Sequence, residues 1–187
     1  MTTEALPSRP EHSRYGYDPS VTATGTRAIE LVRRAGIEHR VHAYVPAERH
    51  GRDRVARPAY GLEAAQALGV AAERMFKTLV ATVDDRLVLA IVPVSGELDL
   101  KRLASALGGR RAELAEPAQA ERATGYVIGA ISPLGLRRPL RVVLDAGAAA
   151  HGTILVSAGR RGVQIELAPA DLASLARADW AQIERDL

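Results

Sequence analysis

F-K-T-L-V-A-T-V-D-D-R-L-V-L-A-I-V, residues 76–92, decides the fold. Two runs rich in Val, Leu and Thr, 76–83 and 86–92, flank Asp84-Asp85, which is the spacing of an antiparallel hairpin with a two-residue turn. Aspartate tolerates positive φ less readily than glycine, so the turn carries some backbone cost. Upstream, Gly61 to Gly69 reads as a short helix closed by Gly69. The run from Thr26 places Ile29, Leu31 and Val32 on one helical side and stops at Gly36. Between them Val41, Ala43 and Val45 alternate with Arg40, His42 and Tyr44, a strand that puts Tyr44 on the face opposite the valines. Downstream, Asp99 is placed to cap a helix through Leu100, Leu103 and Leu107 to Gly108-Gly109, and Pro117 opens another that ends before Thr124-Gly125. Leu140–Leu144, Thr153–Val156 and Val163–Leu167 read as short strands, Ala170–Ala176 and Trp180–Leu187 as helical. Interspersed helices and antiparallel hairpins predict an α+β fold: a single domain with a mixed, largely antiparallel central sheet flanked by helices, not a doubly wound dinucleotide fold.

The 187 residues suit one domain. Residues 1–24, with three prolines and no periodicity, read as a disordered tail, leaving 25–187 for the folded domain. Residues 46–60 hold two prolines, His50-Gly51 and four arginines (Arg49, Arg52, Arg54 and Arg57), the composition of an exposed basic loop. The longest apolar stretch, Leu87–Val94, is far too short to cross a membrane, and the N-terminus lacks an apolar leader; a cytoplasmic protein without membrane association is expected. The absence of cysteine excludes a disulfide scaffold, a zinc ribbon, an iron–sulfur site and a cysteine nucleophile. Net charge is +3, a mild bias toward anionic partners that identifies none. Of 25 basic residues only Lys77 and Lys101 are lysine, which singles them out where arginine is the default.

Dinucleotide, P-loop, zinc-protease and serine-elbow signatures are missing. His39 and His42 are three apart, but on a strand they face opposite ways, so no metal site is expected there. Lys77 shares a strand face with Leu79, Ala81 and Val83; it is either an anion clamp or a lysine snorkelling at the sheet edge. Thr124–Gly135 (T-G-Y-V-I-G-A-I-S-P-L-G) brings glycines and Ser132-Pro133 together between apolar residues. That pattern suits either exposed backbone N–H groups for a carbonyl or a plain crossover between strands, with Pro133 holding Ser132 extended. Ser157–Gly162 is a second glycine loop, either a hairpin or an anion nest flanked by arginines. Asp145 ends an apolar strand, there to orient a substrate amine or simply to terminate the strand.

Four motifs in order, F-K-T-L-V, A-I-V-P-V-S-G-E-L-D-L-K-R-L-A, E-R-A-T-G-Y-V-I-G-A-I-S-P-L-G and V-S-A-G-R-R-G-V-Q-I-E-L-A, resemble the YbaK/EbsC family from Thr26 to about Ala176. The resemblance implies a free-standing relative of the editing domain inserted in bacterial prolyl-tRNA synthetases, acting on Cys-tRNA(Pro) and Cys-tRNA(Cys). It implies aminoacyl-tRNA and prolyl-tRNA synthetase as partners, and neither cofactor nor metal. It places the family lysine, the catalytic candidate, at Lys77 and the G-x-x-x-P substrate loop at Gly129, Ala130, Ile131, Ser132 and Pro133. Tyr44, Asp145, Ser157 and Gly159 would line the pocket. Three departures stand near it: Ala123-Thr124-Gly125 for the usual S-T-G, Gly129-Ala130-Ile131-Ser132-Pro133 for G-G-I-S-P, and Ser157-Ala158-Gly159 for S-G-G. Each adds a methyl or removes a hydroxyl, leaving the amino acid preference open. The mechanism implied uses the substrate's own thiol; water-mediated hydrolysis of another misacylated tRNA such as Ala-tRNA(Pro), or noncatalytic binding of tRNA or a synthetase, are the alternatives.

Overall fold

The computed structural model describes residues 25–46 and 60–185. The expected tail (1–24) and nearly all of the basic loop, including its four arginines, lie outside the described residues. Helix α1 (Arg27–Arg34) starts where the Thr26 hydroxyl accepts the Ile29 N–H at 3.2 Å, and it buries Ala28, Ile29 and Val32. Strand β1 (His39–Ala43) and helix α2 (Tyr60–Leu68) follow. The hairpin forms as β2 (Phe76–Val83) and β3 (Arg86–Pro93), paired from Phe76↔Pro93 to Val83↔Arg86. Asp84 and Asp85 both take positive φ, 45° and 66°. The Asp84 carboxylate accepts the backbone N–H groups of Arg110 and Arg111, each at 3.0 Å, and these bonds hold its pKa below the ordinary aspartate value.

After β4 (Glu97–Leu98) comes α3 (Leu100–Ala106), capped by Asp99 through the N–H groups of Lys101 (2.9 Å) and Arg102 (3.0 Å). Strand β5 (Ala112–Leu114), which no local pattern signals, precedes α4 (Pro117–Thr124), closed by a left-handed Gly125. The chain continues through β6 (Arg141–Asp145), β7 (Ile154–Arg160), β8 (Val163–Leu167), α5 (Pro169–Ala176), β9 (Ala178–Ala181) and β10 (Glu184–Arg185).

Five strands in the order β5-β2-β3-β6-β9 form the central sheet, with the β3–β6 and β6–β9 pairs parallel and the others antiparallel. β1-β8-β7 form a second, antiparallel sheet joined to the first by one bridge, Met75 to Leu155, and β4 pairs with β10. The main core lies between the sheets, where Leu89, Ile91 and Leu144 meet Val156, Ile165 and Leu167 together with Ile29 of α1 and Leu172 of α5. Each such fully buried Leu or Ile contributes about 2 kcal/mol. The opposite face of the central sheet has two further clusters. Ala81, Val88, Ala90 and Val92 pack under Leu103 and Ala104 of α3, whereas Tyr44, Met75, Val94 and Leu155 pack under Ala64 and Ala65 of α2.

The helix expected at Trp180–Leu187 is a correction, because two strands run through the described part of that segment. Helix α5 ends at Arg177 in left-handed conformation, φ 50°, and Ala178–Ala181 then pairs in parallel with Val142–Asp145. Those partners lie far off in sequence, so local periodicity does not carry them. Among the described residues no helix is long and apolar enough to cross a membrane.

Candidate functional site

Lys77 sits at a seam. Antiparallel pairing puts Met75, Lys77, Leu79 and Ala81 on one face of β2; Met75 belongs to the cluster under α2, while Leu79 and Ala81 belong to that under α3. Apolar packing therefore flanks the lysine on both sides, and its ammonium leaves the sheet between the two helices. Nζ donates to the carbonyl of Gly96 at 2.5 Å, in the loop just before β4. Burial pulls the ammonium pKa below its ordinary value, and the carboxylates of Glu97 and Glu184 oppose that pull. The ladder between β5 and β2 covers only Ala81–Val83, so at Lys77 β2 is laddered to β3 alone.

The loop after α4 is held as a rigid wall without regular structure. Gly129 has φ +83°, and a Cβ there would stand 2.6 Å from the Tyr60 ring, so close approach requires glycine twice over. Tyr60 opens α2 and lies under the Arg161 guanidinium, 4.7 Å from carbon to ring centroid, while Arg161 also donates to the Ile128 carbonyl at 3.0 Å. Ala130 closes a turn onto the Val127 carbonyl at 3.0 Å. The N–H groups of Gly129, Ile131 and Ser132 find no acceptor among the described residues. Ala130, Ser132 and Pro133 are buried, and the Ser132 hydroxyl accepts the Leu134 N–H at 3.3 Å, a fixed strut and not an exposed nucleophile.

At the other end of the loop, Tyr126 donates to the carbonyls of Leu134 (2.8 Å) and Gly135 (3.2 Å). Arg27 of α1 stacks on its ring at 4.6 Å and donates to the Gly125 carbonyl at 2.9 Å. Gly159 packs on the same ring, where a Cβ would come within 2.4 Å. Ser157 accepts the Gly159 N–H at 3.2 Å, and the bulge between Ser157 and Arg160 turns the predicted glycine loop into the end of β7.

Tyr44 is buried, with its N–H on the Gly162 carbonyl at 2.8 Å. Burial raises its phenol pKa and the negative charge of Glu63 adds to the rise, while a hydrogen bond with the Gln164 side chain lowers it. Gln164 is a functional candidate that the sequence reading passed over. It pairs with Ser157 on one side and His42 on the other, buried beside Tyr44. Its signal was an uncharged amide within the apolar alternation V-Q-I-E-L. Val94 links this group to the lysine, since it packs with Tyr44 and lies two residues before Gly96.

Asp145 stands apart from these groups. It is fully buried, and its carboxylate accepts the N–H groups of Gly147 (2.8 Å), Ile183 (2.8 Å) and Glu184 (2.7 Å). His39 and His42 diverge as expected; His42 meets Glu166 at 2.7 Å, and Glu166 also accepts from Arg74 at 2.9 Å and Thr153 at 2.6 Å. Led by the Thr153 bond, these partners keep the Glu166 pKa low. Among the described residues no cluster of three or more His, Asp or Glu is placed to hold a metal ion.

The described residues offer a half-buried cation at Lys77, a glycine wall at 129–132 with backbone N–H groups lacking an acceptor among them, and a buried tyrosine–glutamine pair. Chemically, unpaired N–H groups suit a carbonyl or oxyanion and a lysine ammonium suits an anion. Comparison with known proteins gives this arrangement a context. Over 121 residues the chain is 42% identical to EbsC of Enterococcus faecalis, named for Cys-tRNA(Pro)/Cys-tRNA(Cys) deacylation, covering 64% of this chain and 73% of that one. Over 58 residues it is 47% identical to the multifunctional Ser/Thr-tRNA deacylase ProXp-y of Escherichia coli K12, covering 31% of this chain and 35% of the relative. A crystal structure described as a trans-editing enzyme for prolyl tRNA synthetase shares the fold, with TM-score 0.68 at 24% identity over 86% of this chain and 96% of that one. Residues 57–175 match the aminoacyl-tRNA editing domain, and the chain belongs to that family.

Proposed function

We propose that this protein is a free-standing editing enzyme of the cytoplasm that deacylates misacylated tRNA, with Cys-tRNA(Pro) and Cys-tRNA(Cys) as substrates and the prolyl-tRNA synthetase complex as the source of the former. The observation that carries the reading is the Gly129 wall, whose N–H groups at 129, 131 and 132 find no acceptor among the described residues, in a chain without cysteine. Cysteine and proline are close in size, and apolar binding energy separates them weakly, so a second sieve is chemically required.

In this reading the N–H groups of Gly129 to Ser132 receive the ester carbonyl, and Lys77 holds the phosphate or ribose of the terminal adenosine. Tyr44, Gln164 and Ser157 bound the space for the side chain. The substrate's thiolate attacks its own ester carbon, forming a C–S bond. Collapse of the tetrahedral intermediate breaks the C–O bond to the ribose, whose oxygen takes up the proton the thiol released. The resulting thiolactone is then opened by water to free cysteine. The protein contributes positioning and stabilisation of the developing oxyanion.

The polar Tyr44–Gln164 pair favours a second reading, water-mediated hydrolysis of a hydroxyl-bearing amino acid, the class named for the E. coli relative. Rates on Cys-, Ser- and S-methyl-Cys-tRNA(Pro) under one set of conditions separate the two. Thiol dependence predicts rapid loss of Cys and roughly hundredfold slower loss of the others, because far more thiol than hydroxyl is ionised near neutral pH. Rapid release of S-methyl-Cys or Ser moves the reading to hydrolysis. Retention of tRNA with no deacylation of any of the three reduces the protein to a binding module.

A further inference from the structure

The lysine site is completed by a part of the chain that lies outside the glycine loops. Asp145 ends β6 fully buried, and one of its oxygens accepts the N–H groups of both Ile183 and Glu184, at 2.8 and 2.7 Å. This bond pair sets where β10 begins. Glu184 then pairs with Leu98 and Arg185 with Glu97. The side chain of Glu184 lies so close over Gly96 that a Cβ on that glycine would fall 1.7 Å from its Oε1. Gly96 is the residue whose carbonyl receives Lys77.

We infer that Asp145 and Glu184 are positioning residues for Lys77: Asp145 fixes the C-terminal strand, and Glu184, pinned over Gly96, holds the ammonium in place as a cation. This deepens the reading of Lys77 given above and rests on it for its consequence in catalysis. The acids around the lysine act together against its burial. Burial works against its charge, and the two acids that oppose burial, Glu97 and Glu184, come from the paired strands β4 and β10. The cations nearby share these strands: Arg185 pairs with Glu97, and Arg102 lies 3.7 Å from Asp99 and donates to the Glu184 carbonyl at 2.5 Å. A lysine is charged below its pKa, so removing the Glu184 charge makes Lys77 lose its proton at lower pH.

Lys77 and Lys101 are the only lysines, so the full-length chain labelled with ¹³Cε-lysine gives one resonance for the site and one internal reference. In Glu184→Gln the Lys77 titration midpoint moves down while that of Lys101 stays. The alkaline limb of kcat/KM for Cys-tRNA(Pro) moves down with it, and the rate above the new midpoint falls roughly tenfold. Gly96→Ala, which displaces Glu184 without removing a charge, moves the midpoint in the same direction, and Glu184→Asp restores part of the shift. A Lys77 midpoint unmoved in folded Glu184→Gln overturns the inference whatever the activity. A midpoint that moves while the kcat/KM profile stays fixed sustains the coupling of the C-terminal strand to Lys77 and removes Lys77 from deacylation.

Discussion

At the start of β2, Lys77 is half withdrawn from solvent among groups brought from Gly96, β4 and β10; just past its end, Asp84 stands exposed, its carboxylate satisfied by two backbone N–H groups of the Arg110-Arg111 loop. One strand thus carries a cation held against its own desolvation and an anion that has given up little hydration. The first arrangement spends stability to keep a charge, which the proposed function assigns to a ligand. The second uses a charge to close a turn. Substitutions at the two ends should therefore separate cleanly, activity at one and stability at the other.

The largest effect is expected at the lysine end. Lys77→Ala should lower kcat/KM for Cys-tRNA(Pro) roughly 10²- to 10³-fold, as when one preorganised electrostatic group is removed, while the thermal midpoint holds or rises because a desolvated charge is gone. Near-normal turnover in the folded variant would erase the contrast. Gly129→Val tests the glycine wall. Its positive φ and the Tyr60 ring leave no room for a β-branched residue, so kcat/KM should drop roughly 10- to 100-fold, with about 1–3 kcal/mol of stability lost to backbone strain. Full activity there would make the loop structural only. The smallest effect belongs to the turn. Asp85→Gly relieves a φ of 66° and should raise the thermal midpoint by roughly 1–4 °C with deacylation unchanged. An activity change from that substitution would show that the two ends of the hairpin communicate.

The same contrast explains what the sequence disclosed. Elements specified by neighbours were legible: the hairpin from its alternation around Asp84-Asp85, α3 from Asp99, α4 from Pro117, and the stops at Gly36, Gly69 and Gly125 from glycines that do take positive φ. Segments 178–181 and 184–185 were not, because an Ala-, Asp- and Glu-bearing stretch reads as helical by itself, and only Val142–Asp145 and Glu97–Leu98 make it strand. The carboxylate of Asp145 shows the limit most sharply. Its type and strand-end position fitted a substrate ligand as well as a buried anchor, and the deciding N–H groups lie 38 and 39 residues away. Gln164 was missed for a related reason, since an amide between valine and isoleucine means nothing until Tyr44 is placed beside it.

The clasp of Arg27 on Tyr126 and on the Gly125 carbonyl has a consequence for how this scaffold can change. The wall from 125 to 135 owes its shape to a residue about a hundred positions earlier, so the ordering entropy of the wall is met during folding and not when substrate arrives. Variation that retunes side-chain selection can thus fall elsewhere while the mould keeps its form. Loss of the clasp at Arg27 would return the ordering cost to each binding event, and specificity would weaken for every amino acid at once.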